Sequence, residues 1–388
     1  MSSLSTPPTS PGRVSTIPSY RAGLSLELNI TQSCIPTLNE DTITAHVTSL
    51  ITETMSPVMH VNLLTAQGPT AAVLKLYDRR FGTHLREIRG KYVPCRSEDE
   101  VAFEQFVCKG AMGSFIDEIE EDFRTQPLPS TAEDWCEGPD AEARFEAALW
   151  YEANKQYSNE TKAYTRLKDL QGIMIPRLYA QVRIASKDNC NADCSDYMSV
   201  KGILLQVIPG CNLWDFAKSP SSPQSHQKWT CIVQQAIDAA HEINKRDVIL
   251  DDSGPRNVVV DKVTHMPFIV DLAQCTFKND MFQLWETEGF DSDSEEEVEN
   301  GDDRNLEVEW WSRIRARENP ASIGLLMTKR LLRTHGLKLE FQYPDYQQLL
   351  QAAKVSAASP SVSQPDEKSE KTPKTEENGP MTLDTSVR

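Results

Sequence analysis

The order of apolar patterns along the chain constrains the fold most strongly, because strand-like runs come first and helix-like runs later. Residues 58–64 and 71–77 are β-branched, apolar runs separated by the turn signal AQGPT, which predicts a β-hairpin. Residues 43–51 predict a further strand before it. Helix-like spacing of apolar residues follows at 100–123, 141–170 and 229–245. This order predicts an α+β fold.

The charge balance excludes some classes of partner. The chain has 388 residues, with 57 Asp and Glu against 40 Lys and Arg, and a formal net charge of −17. General binding of nucleic acids needs clustered Lys and Arg, so we expect no nucleic-acid partner. No stretch approaches the roughly 20 apolar residues of a membrane-spanning helix, and residues 1–13 lack the pattern of a secretory signal. We therefore expect no membrane partner and an intracellular location, in the cytoplasm or the nucleus.

Three segments have compositions that oppose folding. Residues 1–20 are rich in Ser, Thr and Pro, and residues 356–388 carry almost no large apolar side chains, so both predict disordered tails. Residues 286–309 hold twelve acidic residues and one basic residue, which predicts a solvated acidic loop. Within it, Ser292 and Ser294 each have a glutamate three residues on, so we expect acidophilic kinases to modify both.

Four polar residues stand in or beside apolar, strand-like runs. Lys75 interrupts the run AAVLKLY. Asp252 and Asn257 lie in the segment ILDDSGPRNVVV with four residues between them, and Asp271 follows the run FIV, 14 residues after Asn257. Taken singly, each residue type has an ordinary structural role, as a snorkelling lysine, a turn residue or a strand cap. Their joint order and context favour a site.

In this combination the chain resembles the protein-kinase-like superfamily, above all its divergent members that carry D-x-x-P-R-N in the catalytic loop. The resemblance covers about residues 40–350. It implies a two-lobed protein-kinase-like fold, with an N-lobe at about 40–208 and a truncated helical C-terminal lobe at about 209–350. An insertion at about 80–150 has no counterpart in this scheme. The expected fold class is therefore α+β, two-lobed and kinase-like, with disordered termini.

The resemblance implies that the chain binds ATP and Mg²⁺ for phosphoryl transfer, a reaction that depends on positioning and charge compensation. Lys75 would hold the α- and β-phosphates. A glutamate on the long helix at 141–170 would hold Lys75, with Glu160 as the first candidate and Glu152 as the alternative. Lys75 and Glu160 are thus two of the implied catalytic residues.

The resemblance assigns the remaining polar residues to the metal and the acceptor. Asn257 and Asp271 would bind Mg²⁺, a hard cation that prefers oxygen ligands. Asp252, the third implied catalytic residue, would orient or deprotonate an acceptor hydroxyl. The acceptor itself, whether a small molecule or a protein, is not identified by the sequence.

The resemblance also places the adenine. Val73 and Val259 would lie on its two faces as apolar contacts. Gln206, Val207 and Ile208 would form the hinge that offers backbone hydrogen bonds to the base.

The chain departs from the family pattern at several points. The position of the glycine-rich phosphate loop reads TETMS, without a glycine to let backbone amides approach phosphate. Leu250 occupies the position of the catalytic-loop histidine, and Asp251 follows it. Asp271 is followed by Leu272 and Ala273, so the glycine of the family's metal-binding motif is missing.

These observations leave three hypotheses open. The first is a phosphotransferase that uses Mg·ATP, since every polar group required for the reaction is present. The second is a pseudokinase, a binding or scaffold module without turnover, which the missing glycines and Leu250 favour. The third is an unrelated α+β structural protein.

Overall fold

The computed structural model describes residues 17–126, 128–185, 192–288 and 306–358. The strands are β1 Ser25–Ser33, β2 Thr42–Thr52, β3 Val58–Thr65, β4 Gly68–Tyr77, β5 Glu87–Ile88, β6 Lys91–Tyr92, β7 Leu178–Ile184, β8 Val200–Leu205, β9 Gly210–Asn212, β10 Val248–Leu250, β11 Val258–Asp261, β12 Pro267–Ile269 and β13 Cys275–Phe277. The α-helices are α1 Ser97–Cys108, α2 Met112–Thr125, α3 Ala141–Arg166, α4 Ala192–Met198, α5 Leu213–Phe216, α6 His226–Asn244, α7 Lys278–Glu288, α8 Leu306–Arg317, α9 Asn319–His335 and α10 Tyr346–Ala358.

Six antiparallel strands form a closed barrel in the order β1-β2-β3-β4-β8-β7, with β7 returning to β1. The predicted hairpin is β3 and β4, in which Val61 lies opposite Ala72. Alternate side chains of the strands point into the barrel and are almost fully buried there, as the two-residue period of a strand requires. The barrel interior contains Leu28, Ile43, Ala45, Met59, Val61, Leu63, Leu74, Leu76, Val182 and Leu204.

The expected fold class is correct only at its coarsest level. The α+β class is confirmed, but the two-lobed protein-kinase-like fold with a truncated helical C-terminal lobe is wrong, because the strands close into a barrel. Closure depends on β1, which pairs with β2 along one edge and β7 along the other. The apolar residues Leu26, Leu28 and Ile30 alternate with polar ones along this strand. The resemblance starts the domain at about residue 40 and so omits it.

A second body of structure packs against the barrel and is built around α6 and α9. The apolar stripe predicted on α6 is confirmed, since Ile232, Ala236 and Ile243 are each no more than 3% exposed. The three-stranded sheet β12-β11-β9 and the pair β10-β13 complete this part. One continuous core joins it to the barrel through Tyr77 and Leu205. The elements that carry the candidate polar residues therefore share one apolar support.

The predicted insertion at about 80–150 contributes α1, α2 and the first part of α3. The helical pattern at 100–123 is divided into two helices, because Gly110 adopts a positive φ of 75° just after α1 ends. Phe103, Phe115 and Ala147 belong to a separate apolar cluster that fastens α1 and α2 onto α3.

Several expectations fall on residues beyond the described ranges. These are most of both predicted tails, Ser292, Ser294 and most of the predicted acidic loop. The described part of the first tail includes Tyr20, which is buried and donates a hydrogen bond from its hydroxyl to Asp78 Oδ2 at 2.8 Å. The predicted acidic loop is entered from both ends by helices, α7 as far as Glu288 and α8 from Leu306. Every helix in the described ranges is too short or too polar to cross a lipid bilayer.

Candidate functional site

Lys75 lies at the centre of a three-residue cluster that joins distant parts of the chain. Its Nζ is 2.6 Å from Glu160 Oε2 on α3 and 2.6 Å from Asp271 Oδ1, just beyond β12. Glu160 is fully buried, whereas the Asp271 side chain is 41% exposed. Glu152, the alternative partner, instead accepts a hydrogen bond from Gln156 at 3.1 Å. We call Lys75, Glu160 and Asp271 the lysine cluster.

Glu160 is held by three donors, two from β4 and one from the residues that follow β12. Besides Lys75, the Tyr77 hydroxyl donates to Oε2 at 2.5 Å and the backbone N–H of Leu272 donates to Oε1 at 3.3 Å. Lys75 and Tyr77 reach the same carboxylate because residues two apart on a strand point to the same face. A buried carboxylate needs such donors, since an unsatisfied buried charge is strongly unfavourable.

The charges of Lys75 and Asp271 stabilise each other. Burial alone would lower the pKa of Lys75, but Asp271 and Glu160 outweigh it and hold that pKa above its ordinary value. The ammonium of Lys75 in turn holds the pKa of Asp271 below its usual range, against the opposing effect of burial. One positive charge therefore faces two carboxylates, and the lysine cluster carries surplus negative charge.

Asp252 and Asn257 lie beside the exposed end of this cluster. Asn257 Nδ2 donates to the Asp252 backbone oxygen at 3.0 Å and to Asp252 Oδ2 at 2.9 Å. The backbone N–H of Val270 donates to the backbone oxygen of Asn257 at 2.9 Å, and this bond brings the next residue, Asp271, close to Asn257. Asp252, Asn257 and Asp271 line one narrow pocket. The structure thus brings together the residues that the sequence assigned to catalysis and to metal binding.

The backbone at Asp271 is strained. Its φ of 63° lies in the left-handed region, which costs free energy in any residue with a side chain, although aspartate tolerates it better than most. Contacts to Lys75 on one side, and from Leu272 to Glu160 on the other, hold this conformation. Strain of this kind concentrates at functional sites.

A buried asparagine that the sequence reasoning missed anchors the loop that carries Asp252. Asn319 Nδ2 donates to the Leu250 oxygen at 2.6 Å, and its Oδ1 accepts from the Leu250 N–H at 3.0 Å. The Asn319 backbone oxygen accepts from the Ser253 hydroxyl at 2.9 Å, and Asn244 Nδ2 donates to Asn319 Oδ1 at 2.9 Å. The sequence does carry a signal for Asn244 and Asn319. Asn244 ends the apolar stripe of α6, and Asn319 stands directly before Pro320 at the start of α9.

The two residues at which the loop departs from the family pattern are accounted for by packing. Leu250 is 4% exposed and belongs to the main core. Asp251 accepts a hydrogen bond from the Thr276 hydroxyl at 2.9 Å, and its Oδ1 is 3.1 Å from Arg317 Nη2. The charge of Asp251 is therefore compensated by Arg317 at the end of α8.

The residues expected to hold adenine occupy two different sheets. Val73 lies on β4 opposite Leu205, and Val259 lies on β11 opposite Asn212 and Phe268; both are half-buried. The Gln206 N–H already donates to the Arg177 oxygen at 2.9 Å, so it is engaged within the chain. Val207 and Ile208 follow, half-buried, beyond the end of β8.

The segment at the position of a phosphate loop is tied to a neighbouring loop. The Thr83 N–H donates to the Glu53 oxygen and the His84 N–H donates to the Thr54 oxygen, both at 2.9 Å. Gly82 makes this close approach possible, since its φ is 108° and a Cβ atom there would lie 2.7 Å from the Met55 oxygen. Residues 52–56 are therefore fixed by residues 82–84.

Comparison with known proteins gives little beyond this geometry. No known protein family matches the chain, and no curated protein matches it. Among solved structures, the apo form of PpkA-294 matches with a TM-score of 0.32 and 9% sequence identity. The match covers 59% of this chain and 58% of that one, so the chain spans less than two thirds of PpkA-294. A similarity this weak carries no argument, and the function of the site is therefore argued from its own residues.

Proposed function

We propose that Lys75, Asn257 and Asp271 bind the phosphates and the metal of Mg·ATP, with Asp252 beside them to receive the acceptor. One observation carries the proposal: Lys75 is shared between a buried carboxylate, Glu160, and a partly exposed one, Asp271, beside two further polar side chains. Glu160 alone would neutralise the charge of Lys75. The additional, solvent-facing carboxylate is surplus negative charge that a cation can compensate.

The oxygen atoms of the site are of the kinds that bind Mg²⁺. Both amide hydrogens of Asn257 point to Asp252, which leaves Asn257 Oδ1 as the atom that could ligate a cation. Asp271 offers a carboxylate that stays ionised because Lys75 lowers its pKa. Oxygen donors of these two kinds are what Mg²⁺ prefers, and the metal would compensate the charge of the phosphates.

Each residue then has one task in the transfer of a phosphoryl group to a hydroxyl. Lys75, oriented by Glu160, holds the α- and β-phosphates; Asp252 orients the acceptor hydroxyl and accepts its proton as the new oxygen–phosphorus bond forms and the bond to ADP breaks. Asn257 and Asp271 hold the metal. Val73, Val207, Ile208 and Val259 would contact the base.

A second candidate function, nucleotide binding without turnover, is favoured by the state of residues 52–56. The carbonyl oxygens of Glu53 and Thr54 accept hydrogen bonds from the N–H groups of residues 83 and 84. The segment also contains no glycine, so it cannot wrap the phosphates. Weak binding and a poorly enclosed γ-phosphate would follow.

One substitution separates the two functions. In an enzyme, Asp252→Asn abolishes phosphate transfer or ATP hydrolysis while the dissociation constant for Mg·ATP changes little, because Asp252 does not contact the nucleotide in this scheme. Radiolabelled ATP with purified wild type and variant measures both quantities. Equal residual turnover in the two proteins would contradict the enzyme and leave the binding module.

A further inference from the structure

Two buried tyrosines flank Glu160, and only one of them is bonded to it. Tyr77 is 5% exposed and its hydroxyl donates to Glu160 Oε2 at 2.5 Å. Tyr164 is fully buried one turn further along α3, and its hydroxyl has no hydrogen-bond partner in the described part of the chain. The pair is a natural comparison, since both rings are buried beside one carboxylate and differ in one bond.

Packing and strand pairing position the Tyr77 hydroxyl beside Glu160. Its ring packs edge to face against Tyr157 with the centroids 5.4 Å apart, and the Tyr157 hydroxyl donates to Gln181 Oε1 on β7 at 2.8 Å. Tyr77 itself is fixed by its place at the end of β4, opposite Lys201 of β8. The donor that reaches Glu160 is therefore held from the barrel wall.

The bond changes how Lys75 is shared. Glu160 Oε2 accepts from both Lys75 and Tyr77, so the lysine supplies only part of what that oxygen needs. Without the phenol, the buried carboxylate would depend on Lys75 and the more distant Leu272 N–H. Lys75 would then bond more tightly to Glu160 and less readily to a second anion.

We propose that Tyr77 is a positioning residue of the nucleotide site, which holds Glu160 so that Lys75 remains available to phosphate. This inference rests on the proposed function above. Burial and the neighbouring Glu160 raise the pKa of Tyr77 well above its ordinary value, so its phenol stays protonated and can donate the hydrogen bond to Glu160. Tyr77 touches neither phosphate nor metal and acts through Glu160.

The test compares Tyr77→Phe with Tyr164→Phe, which remove one buried oxygen each. For both variants and the wild type, the Mg·ATP dissociation constant is obtained from calorimetric titration, and stability from urea unfolding without nucleotide. We expect Tyr77→Phe to weaken Mg·ATP binding about tenfold, because a hydrogen bond to a buried charge is lost. We expect Tyr164→Phe to leave the affinity unchanged, since its hydroxyl makes no bond.

The alternative outcomes are distinct. Equal affinity in Tyr77→Phe and wild type, or an equal loss in both variants, would overturn the inference, as would a Tyr77→Phe protein that does not fold. If the wild type binds no nucleotide, the proposed function is lost and the inference with it, whereas wild-type binding that Tyr77→Phe leaves unchanged removes the inference alone. A double-mutant cycle of Tyr77→Phe with Glu160→Gln on stability measures separately whether Tyr77 holds Glu160. Additive effects in that cycle would show that Tyr77 does not hold Glu160.

Discussion

Two clusters of charged residues connect β4, or the residues that follow it, to α3, and they are built differently. One is the lysine cluster. The other, which we call the arginine cluster, consists of Arg79, Arg86, Glu100 and Glu146; its arginines follow β4, and its glutamates lie on α1 and α3. Arg86 Nη2 is 2.5 Å from Glu146 Oε1, its Nη1 donates to the Arg79 oxygen at 2.9 Å, and Arg79 pairs with Glu146 and Glu100. Two arginines face two glutamates, so the charge balances.

Burial separates the clusters less sharply than charge does. The arginine cluster is buried except for Glu100, whose side chain is 28% exposed, whereas Asp271 of the lysine cluster is 41% exposed. The charges of the arginine cluster are paired with one another, and they connect the insertion and α3 to the residues that follow β4. We expect an unbalanced, partly open cluster to retain a carboxylate for an additional cation. Charge balance is therefore the feature that separates the proposed site from the arginine cluster.

A group of three possible metal ligands borders the arginine cluster, but the neighbouring arginines argue against a metal site there. Ligand atoms of Cys95, Asp99 and Glu146 lie within 4.8 Å of one another. The carboxylates, however, are taken up by arginines, Asp99 by Arg96 and Glu146 by Arg79 and Arg86. Burial also raises the pKa of the Cys95 thiol, which disfavours the thiolate when no metal is bound.

The largest effect is expected from breaking the balanced cluster. Glu146→Ala leaves Arg79 and Arg86 buried without their shared partner, which should lower the free energy of unfolding by about 3–5 kcal/mol. Urea unfolding measures it. The control is Glu142→Ala, an exposed position one turn earlier on α3, which should change stability by less than about 0.5 kcal/mol. Similar decreases in the free energy of unfolding of the two variants would mean that the arginine cluster does not stabilise the fold.

A much smaller effect on stability is expected in the unbalanced cluster. Asp271→Asn leaves Lys75 paired with Glu160 and removes a partly exposed carboxylate, so the free energy of unfolding should change by less than about 1 kcal/mol. The same substitution should remove most of the stabilisation by Mg·ATP in a thermal melt. A loss of stability as large as that of Glu146→Ala would show that both clusters are structural and would erase the distinction.

The smallest effect concerns pH. Lys75 holds the pKa of Asp271 below its ordinary value of about 3.8, so the contribution of this ion pair is complete above that value and is lost as the pH falls through the lower, folded-state pKa. The stability difference between wild type and Asp271→Asn should be constant above about pH 5 and shrink below pH 4. A difference that grows on acidification would mean that Asp271 is not held ionised by Lys75.

The sequence brings out the polar residues of the candidate site more readily than it brings out the closed barrel. Lys75, Asp252, Asn257 and Asp271 can be found because each stands in or next to an apolar run, where a charge or amide needs a reason. Strand β1 could not be placed, because its partner β7 lies about 150 residues away and only tertiary pairing closes the barrel. Tyr77 and Asn319 were missed for a related reason, since their importance lies in which buried groups they contact.

The most direct test of the central claim, that the lysine cluster keeps surplus negative charge for a cation, is a thermal melt of the wild type with ATP alone, Mg²⁺ alone and both. We predict stabilisation by Mg·ATP, approaching about 2.7 kcal/mol when the ligand is at 100 times its dissociation constant. ATP alone should stabilise far less, because its phosphates meet uncompensated carboxylates. Lys75→Ala should lose the effect and Lys168→Ala, at an exposed lysine, should keep it. Stabilisation by ATP that does not depend on Mg²⁺, or none under any condition, would contradict the claim.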